Sequence, residues 1–199
     1  MEQIISKEEF NKLMSLKGEV KGNGMKTHAK FILEKEGKEG LKKLEEAMAQ
    51  IGYPVKYDKI KATALYPLGA EALTLVAIKR LFNYDKETFI EMGKFHAKFS
   101  LIIRLFMRYF FSPQRIQKEA PKIWKSYFTV GRLEVLDLDM ERKSVIFRIY
   151  DFKFHPIHCI LLLGIFPTVL QMIFKNPVKC EETKCIHRGN QYHEFILKW

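Results

Sequence analysis

The stretch Gly131-Arg-Leu-Glu-Val-Leu-Asp-Leu-Asp-Met-Glu-Arg-Lys-Ser-Val-Ile-Phe-Arg-Ile149 marks a change of period in this chain. Leu133, Val135 and Leu138, then Val145, Phe147 and Ile149, flank the polar run Asp139-Met-Glu-Arg-Lys143, and they read as two antiparallel strands joined by a turn. An apolar segment, Ile157 to Phe174, follows, and then strands around Val178 to Ile186 and Tyr192 to Trp199. Most of what precedes Gly131 reads as helix. Helices first, then strand, strand, helix, strand, strand, predict an α+β fold with a helical N-terminal half packed on an antiparallel sheet.

The helical half can be placed in more detail. Ser6-Lys-Glu-Glu9 is a capping box that opens a short amphipathic helix. Helices are expected over Met25 to Glu36, Glu39 to Ile51 and Gly69 to Phe82, with an extended piece between Val55 and Tyr66. Asp85 is a good N-cap for a long helix from Lys86 to Phe111, whose broad apolar arc holds Met92, Phe95, Phe99, Ile102, Ile103, Phe106, Tyr109 and Phe110. Ser112-Pro113 opens another helix towards Phe128. Residues 1–19 are read as an N-terminal helical arm and 20–199 as a single α+β domain of the ligand-binding type.

Composition narrows the function classes. The chain has 199 residues, 47% hydrophobic and 29% charged, enough for one core. Three cysteines and no N-terminal signal sequence point to a reducing cytoplasm. The net charge of +11 comes from Lys and Arg dispersed among Asp and Glu, which reads as solvated surface; no specific nucleic acid is expected. Ile157 to Phe174 contains His158, Pro167 and Gln171 and is read as a buried core helix, not a membrane span. There is no nucleotide fingerprint, no placeable Ser-His-Asp or paired-carboxylate arrangement and no Cys-x-x-Cys, so the chain is not expected to be an enzyme.

The C-terminal run from Cys180 to Phe195 carries the metal question. Cys185 and His193 each lie four positions from Gly189, so a hairpin turn at Arg188-Gly189-Asn190 would bring a thiol and an imidazole together. Cys180 is the third candidate, although its spacing from Cys185 puts it on the opposite face of a regular strand; His158-Cys159 is a further source of ligands. A free Cys and an exposed His in an ordinary hairpin is the competing reading.

The same residues carry a resemblance to the 4-vinyl reductase domain family. Its members end in Glu-x-x-Cys, three residues, Gly, three residues, Cys-x-Phe. Glu182, Cys185, Gly189 and Phe195 occupy those positions here, and His193 stands where the family has its second Cys. Leu65-Tyr66-Pro67, Glu91-Met-Gly93, Ser112-Pro113 and Pro121-x-x-Trp124 are similar to the helical half that precedes the domain in related bacterial proteins. The resemblance implies a wider fold group that includes H-NOX haem sensors, aromatic-hydrocarbon sensing domains and TRAPP vesicle-tethering subunits, with an apolar ligand site between helices and sheet. It also implies a possible structural zinc ion on Cys180, Cys185 and His193.

The function expected from this reading is a non-catalytic binding or sensory domain for a small hydrophobic ligand, an acyl chain or an aromatic compound. Phe99, Ile102, Phe106, Tyr109, Phe110, Leu162 and Phe166 are the expected ligand contacts. A stripe of this kind is also what an ordinary packed core looks like. A homodimer and a separate signalling protein are expected partners. The alternatives are a structural or assembly protein of a larger complex, then a tetrapyrrole-related enzyme or a haem gas sensor. His96 lies beside the aromatic arc, but the Tyr-x-Ser-x-Arg string of the haem-sensing branch does not occur, and haem is disfavoured.

Overall fold

The computed structural model describes residues 4–107 and 113–199, with backbone alone at 106, 107, 113 and 114. Helices α1 (Lys7–Met14), α2 (Asn23–Gln50), α3 (Leu68–Phe82), α4 (Lys86–Phe99), α5 (Leu101–Met107) and α6 (Pro113–Tyr127) precede strands β3 (Arg132–Asp139) and β4 (Ser144–Tyr150). Helix α7 (Pro156–Phe174) and strands β5 (Lys179–Lys184) and β6 (Tyr192–Lys198) complete the chain. The main sheet is antiparallel in the order β3-β4-β6-β5. The fold is α+β, as the change of period predicts.

Local chemistry explains most element ends. Ser6 accepts a hydrogen bond from the Glu9 backbone N–H at 3.1 Å, and Asp85 accepts one from the Thr88 N–H at 2.8 Å. The two helices expected on either side of residue 37 are both present and together make up α2, separated by a kink where Gly37 leaves helical backbone (φ 73°, ψ −172°). A small sheet, β1 (Glu19–Lys21) with β2 (Leu65–Pro67), was legible only as an extended segment before Pro67. Helix α1 lies on α3, where Arg80 donates to both Glu9 carboxylate oxygens and to the Ile4 carbonyl.

The continuous helix expected from Lys86 to Phe111 does not form. Ser100 breaks it, with extended backbone (φ −62°, ψ 120°), and its Oγ accepts from the Ile103 N–H at 3.2 Å, so Ser100 is the N-cap of α5. The buried Asn23 side chain donates to Ser100 Oγ and to the Tyr127 hydroxyl, tying α2 and α6 to the break. The arc is divided as a result.

Helix α7 lies across the inner face of the sheet. Val145, Phe147 and Ile149 of β4 and Phe195 and Leu197 of β6 are buried beneath it, with Phe166 edge-on to both Phe147 and Phe195. α7 is long and apolar enough to cross a membrane by length and composition, yet its Leu161, Leu162, Phe166 and Leu170 are buried in the protein core.

Candidate functional site

Two sites flank α7. The first is a cavity. Helices α4 and α7 cross at Gly93 and Gly164, and the next turn of α4 carries His96 to the inside. Between these helices, α6 and the sheet lies a cavity of about 100 Å³, walled by Ile116, Trp124, Phe128, Phe147, Leu162 and Phe166 among others. A space of that order holds about one aromatic ring, since a dry apolar cavity of roughly 150 Å³ takes up benzene.

The structure places the expected ligand contacts unevenly. Leu162 and Phe166 line the cavity. Ile102 is buried but is not part of the wall, and Phe99, the last residue of α4, is 44% exposed, its ring tilted against Phe95 with Lys30 Nζ 4.1 Å above it. The break at Ser100 resets the helix phase after Phe99, so that Ile103 and not Ile102 reaches the wall. Tyr109, Phe110 and the Phe106 side chain lie outside the described residues.

Periodicity gave no sign of the cavity's polar end, formed by His28, Glu71, His96 and His158, all buried. His28 Nε2 is 3.3 Å from Glu71 Oε1. Gly24 makes room for the carboxylate, since a Cβ there would stand 2.4 Å from Glu71 Oε1. Burial, and then the neighbouring His28, push the His96 pKa down to about 3, and burial drives His158 well below the usual histidine range. Both rings are therefore neutral at physiological pH. Among the described residues, His28 Nδ1, Glu71 Oε2 and His96 Nδ1 are buried without a hydrogen-bond partner.

The second site joins the start of α7 to the last hairpin. Cys159, Glu182, Cys185 and His193 bring one ligand atom each to within 4.8 Å of one another. The Cys159 and Cys185 sulfurs are 3.9 Å apart, Cys159 Sγ is 3.6 Å from His193 Nδ1, and His193 Nδ1 is 3.2 Å from Glu182 Oε1. His193 Nε2 lies 3.2 Å from the Phe152 carbonyl: with the proton on Nε2 the Nδ1 lone pair faces the sulfurs, and with the proton on Nδ1 the ring donates to Glu182. Burial raises both thiol pKa values, while Glu182, also raised by burial, is brought below the usual range by hydrogen bonds from His193 and Cys185 and by Arg188.

This grouping corrects the expected ligand set. Cys185 and His193 come together across the turn, with Gly189 at φ 89° and Asn190 Oδ1 capping the Cys185 N–H. Cys180 is not in the group; it lies earlier on β5 opposite Leu197, its thiol pushed up to about 12 by burial and then by Glu182. Cys159 and Glu182 take its place. Cys159 comes from another element entirely, and the register shift between Glu182 and Lys184 re-aims the strand end.

Solved structures match this architecture over most of the chain. The H-NOX domain of Shewanella oneidensis in the Fe(II)CO ligation state superposes with a TM-score of 0.65 at 14% identity, covering 89% of this chain and 97% of that one. The chain has the H-NOX fold. An oxygen-binding H-NOX domain related to soluble guanylate cyclases gives 0.58 at 12% identity over 89% and 94% of the two chains. A structure described as "Modulating Heme Redox Potential Through Protein-Induced Porphyrin Distortion" gives 0.60 at 13% over 90% and 99%. No protein-family model matches the chain, and no curated protein matches it in sequence, so the narrower resemblance to the 4-vinyl reductase family rests on its motif residues.

These matches correct the expectations about cofactors. The absence of a sequence string does not set haem aside when the matching structures are H-NOX domains and a structure described by its haem. The expectation of zinc finds no support in the same structures. Tested on this chain, His96 is a residue that could hold a haem iron: it is buried, neutral and on the cavity wall, with Nδ1 unpartnered among the described residues. The described wall holds no Lys or Arg to pair with porphyrin carboxylates, so the fit is at the iron and not at the periphery.

Proposed function

We propose that this chain is a non-catalytic binding domain of the sensory kind, whose cavity between α4, α6, α7 and the sheet takes a small, mostly apolar molecule. The cavity itself carries the reading. It is apolar along its length, polar at one end and placed where helices and sheet meet, as small-molecule sites commonly are. The wall's one carboxylate–imidazole pair, His28 with Glu71, has no Ser, Thr or Cys nucleophile beside it among the described lining residues, which favours binding over turnover. Occupancy would be passed on to a separate protein through the helices that form the walls.

The test is native mass spectrometry of the purified protein together with titration of a ring-sized probe such as toluene. A retained small molecule, or saturable uptake at one site per chain, supports the reading. A chain that arrives empty and takes up nothing sinks it, and leaves a structural or assembly role.

A second reading has its own support in His96 and the H-NOX architecture, namely that the cavity opens to accept haem. Haem would supply an iron at which a gas ligand is held. His96 would hold that iron, Trp124 and Phe166 would exclude water, and His28 with Glu71 would face the group from α2 and α3. A Soret absorption band in protein produced with ample haem, lost in His96→Ala, supports this reading over the first.

The Cys159–Glu182–Cys185–His193 group belongs to either reading as a proposed metal-ion tie. It would pin the start of α7, and so one wall of the cavity, to the β5–β6 hairpin.

A further inference from the structure

Three polar atoms that share the inner end of the cavity have no partner among the described residues, and their chemistry restricts what can occupy it. Buried polar atoms are almost always paired, because leaving one unpaired costs roughly 1–3 kcal/mol. Here His28 Nδ1, Glu71 Oε2 and His96 Nδ1 are unpaired together, on residues from three different helices. Glu71 has 4% of its side chain exposed and His28 1%.

The donor and acceptor count decides the sign. Glu71 Oε2 can only accept unless it is itself protonated, and among the described residues it has nothing to accept from. When the His28 Nε2–H donates to Glu71 Oε1 in the singly protonated ring, Nδ1 is left as a second acceptor, and His96 Nδ1 accepts in one of its two tautomers. Beside Glu71 the cavity therefore calls for a donor from the occupant. A hydroxyl brings one donor, whereas an amine brings two or three. A protonated amine also sets a positive charge against a buried carboxyl group. Gly24 keeps the place for that carboxylate open.

We propose that the molecule bound in this cavity is a small aromatic or short-chain amine, its apolar body along Trp124, Leu162 and Phe166 and its nitrogen received by Glu71 with His28 and His96 beside it. This rests on the binding reading above and names the ligand class. Trp124, Tyr127 and Phe128 put aromatic rings near the same end, which favours a cationic head over an anionic one.

The experiment compares three probes of one size, benzylamine, benzyl alcohol and toluene, by calorimetric titration of the full chain and of Glu71→Gln. Benzylamine is expected to bind about tenfold or more tighter than the other two, as a charge-assisted hydrogen bond in a buried site would give. Glu71→Gln is expected to lose that preference and keep toluene binding. Equal binding of all three to the wild type overturns the amine assignment and leaves the cavity reading standing. Failure of all three to bind overturns the cavity reading itself. A preference that survives Glu71→Gln places the amine elsewhere and also overturns the assignment. Should Glu71→Gln not fold, intermolecular NOEs from the benzylamine methylene to the His96 and Trp124 ring protons in the wild type are expected, and their absence overturns the proposal.

Discussion

Gly93 on α4 and Gly164 on α7 meet backbone to backbone: a Cβ built at Gly93 would stand 3.1 Å from the Gly164 Cα and 2.2 Å from the Leu161 carbonyl oxygen. A Cβ at Gly164 would in turn stand 2.2 Å from the Ile90 carbonyl oxygen. The close approach sets the floor of the cavity, because it fixes how near His96 on one helix stands to Leu161 and Leu162 on the other. Gly93→Ala and Gly164→Ala are each expected to destabilise the fold by about 2–3 kcal/mol, since only backbone is available to give way. Thermal melts should fall by roughly 5–10 °C for a chain of this size. A melt within about 1 °C of wild type would show that the helices can part without loss.

Ser100 is expected to be worth more than an ordinary cap. It closes α4, caps α5 and pairs with Asn23 and Tyr127 in a buried knot. Ser100→Ala removes the cap and strips a partner from two buried polar groups, at a cost of about 2–4 kcal/mol. Denaturant titration measures this directly, and a cost under about 1 kcal/mol would mean the knot contributes little.

Filling the cavity should separate binding from folding. Leu162→Phe projects a larger side chain into the space from α7 and is expected to cut uptake of a ring-sized probe about tenfold or more, with the melting temperature unchanged or raised. Unaltered uptake with a lowered melting temperature would mark Leu162 as core and not as wall.

The cluster on the last hairpin makes a different prediction. Cobalt(II) added to reduced protein is expected to give a thiolate-to-metal charge-transfer band, abolished in Cys159→Ser and Cys185→Ser and retained in Cys180→Ser. Equal loss in all three variants would return Cys180 to the ligand set, and no band in the wild type would remove the metal tie.

Stability should fall with acid earlier than the carboxylates alone require. His96 and His158 are buried neutral, with pKa values depressed below that of the unfolded chain, so on lowering pH the unfolded state takes up protons that the folded state refuses. Their contribution is fully present above about pH 6.5 and is lost as pH falls from there towards about 3, where His96 itself titrates. Two such groups give a slope of up to about 2.7 kcal/mol per pH unit between pH 6 and 5. Unfolding free energies measured at pH 7.5, 6.0 and 5.0 check this, and a flat profile would mean that both rings protonate in the folded state.

Much of the fold follows from short-range chemistry. The capping box at Ser6, the Asp85 cap, the period-two run through Val145, Phe147 and Ile149 and the apolar length of α7 each depend on near neighbours in the chain, and each element stands where its residues predict. The break at Ser100 was not legible, because the apolar arc runs on through it without a change of period. The pairing of Cys185 with His193 was legible because both lie equidistant from one turning glycine. Cys159 was legible only as an alternative to Cys180, and His28, Glu71 and His96 as a set were not legible at all, because helices α2, α3, α4 and α7 bring these residues together from far apart in the chain. Side-chain periodicity states which face of an element is apolar. It says nothing about which two faces meet, how closely two glycines let helices approach, or whether a space remains between them. Those were decided by the packing of α4 and α7 on the sheet, where a void and its unpartnered polar atoms exist only as a relation between elements.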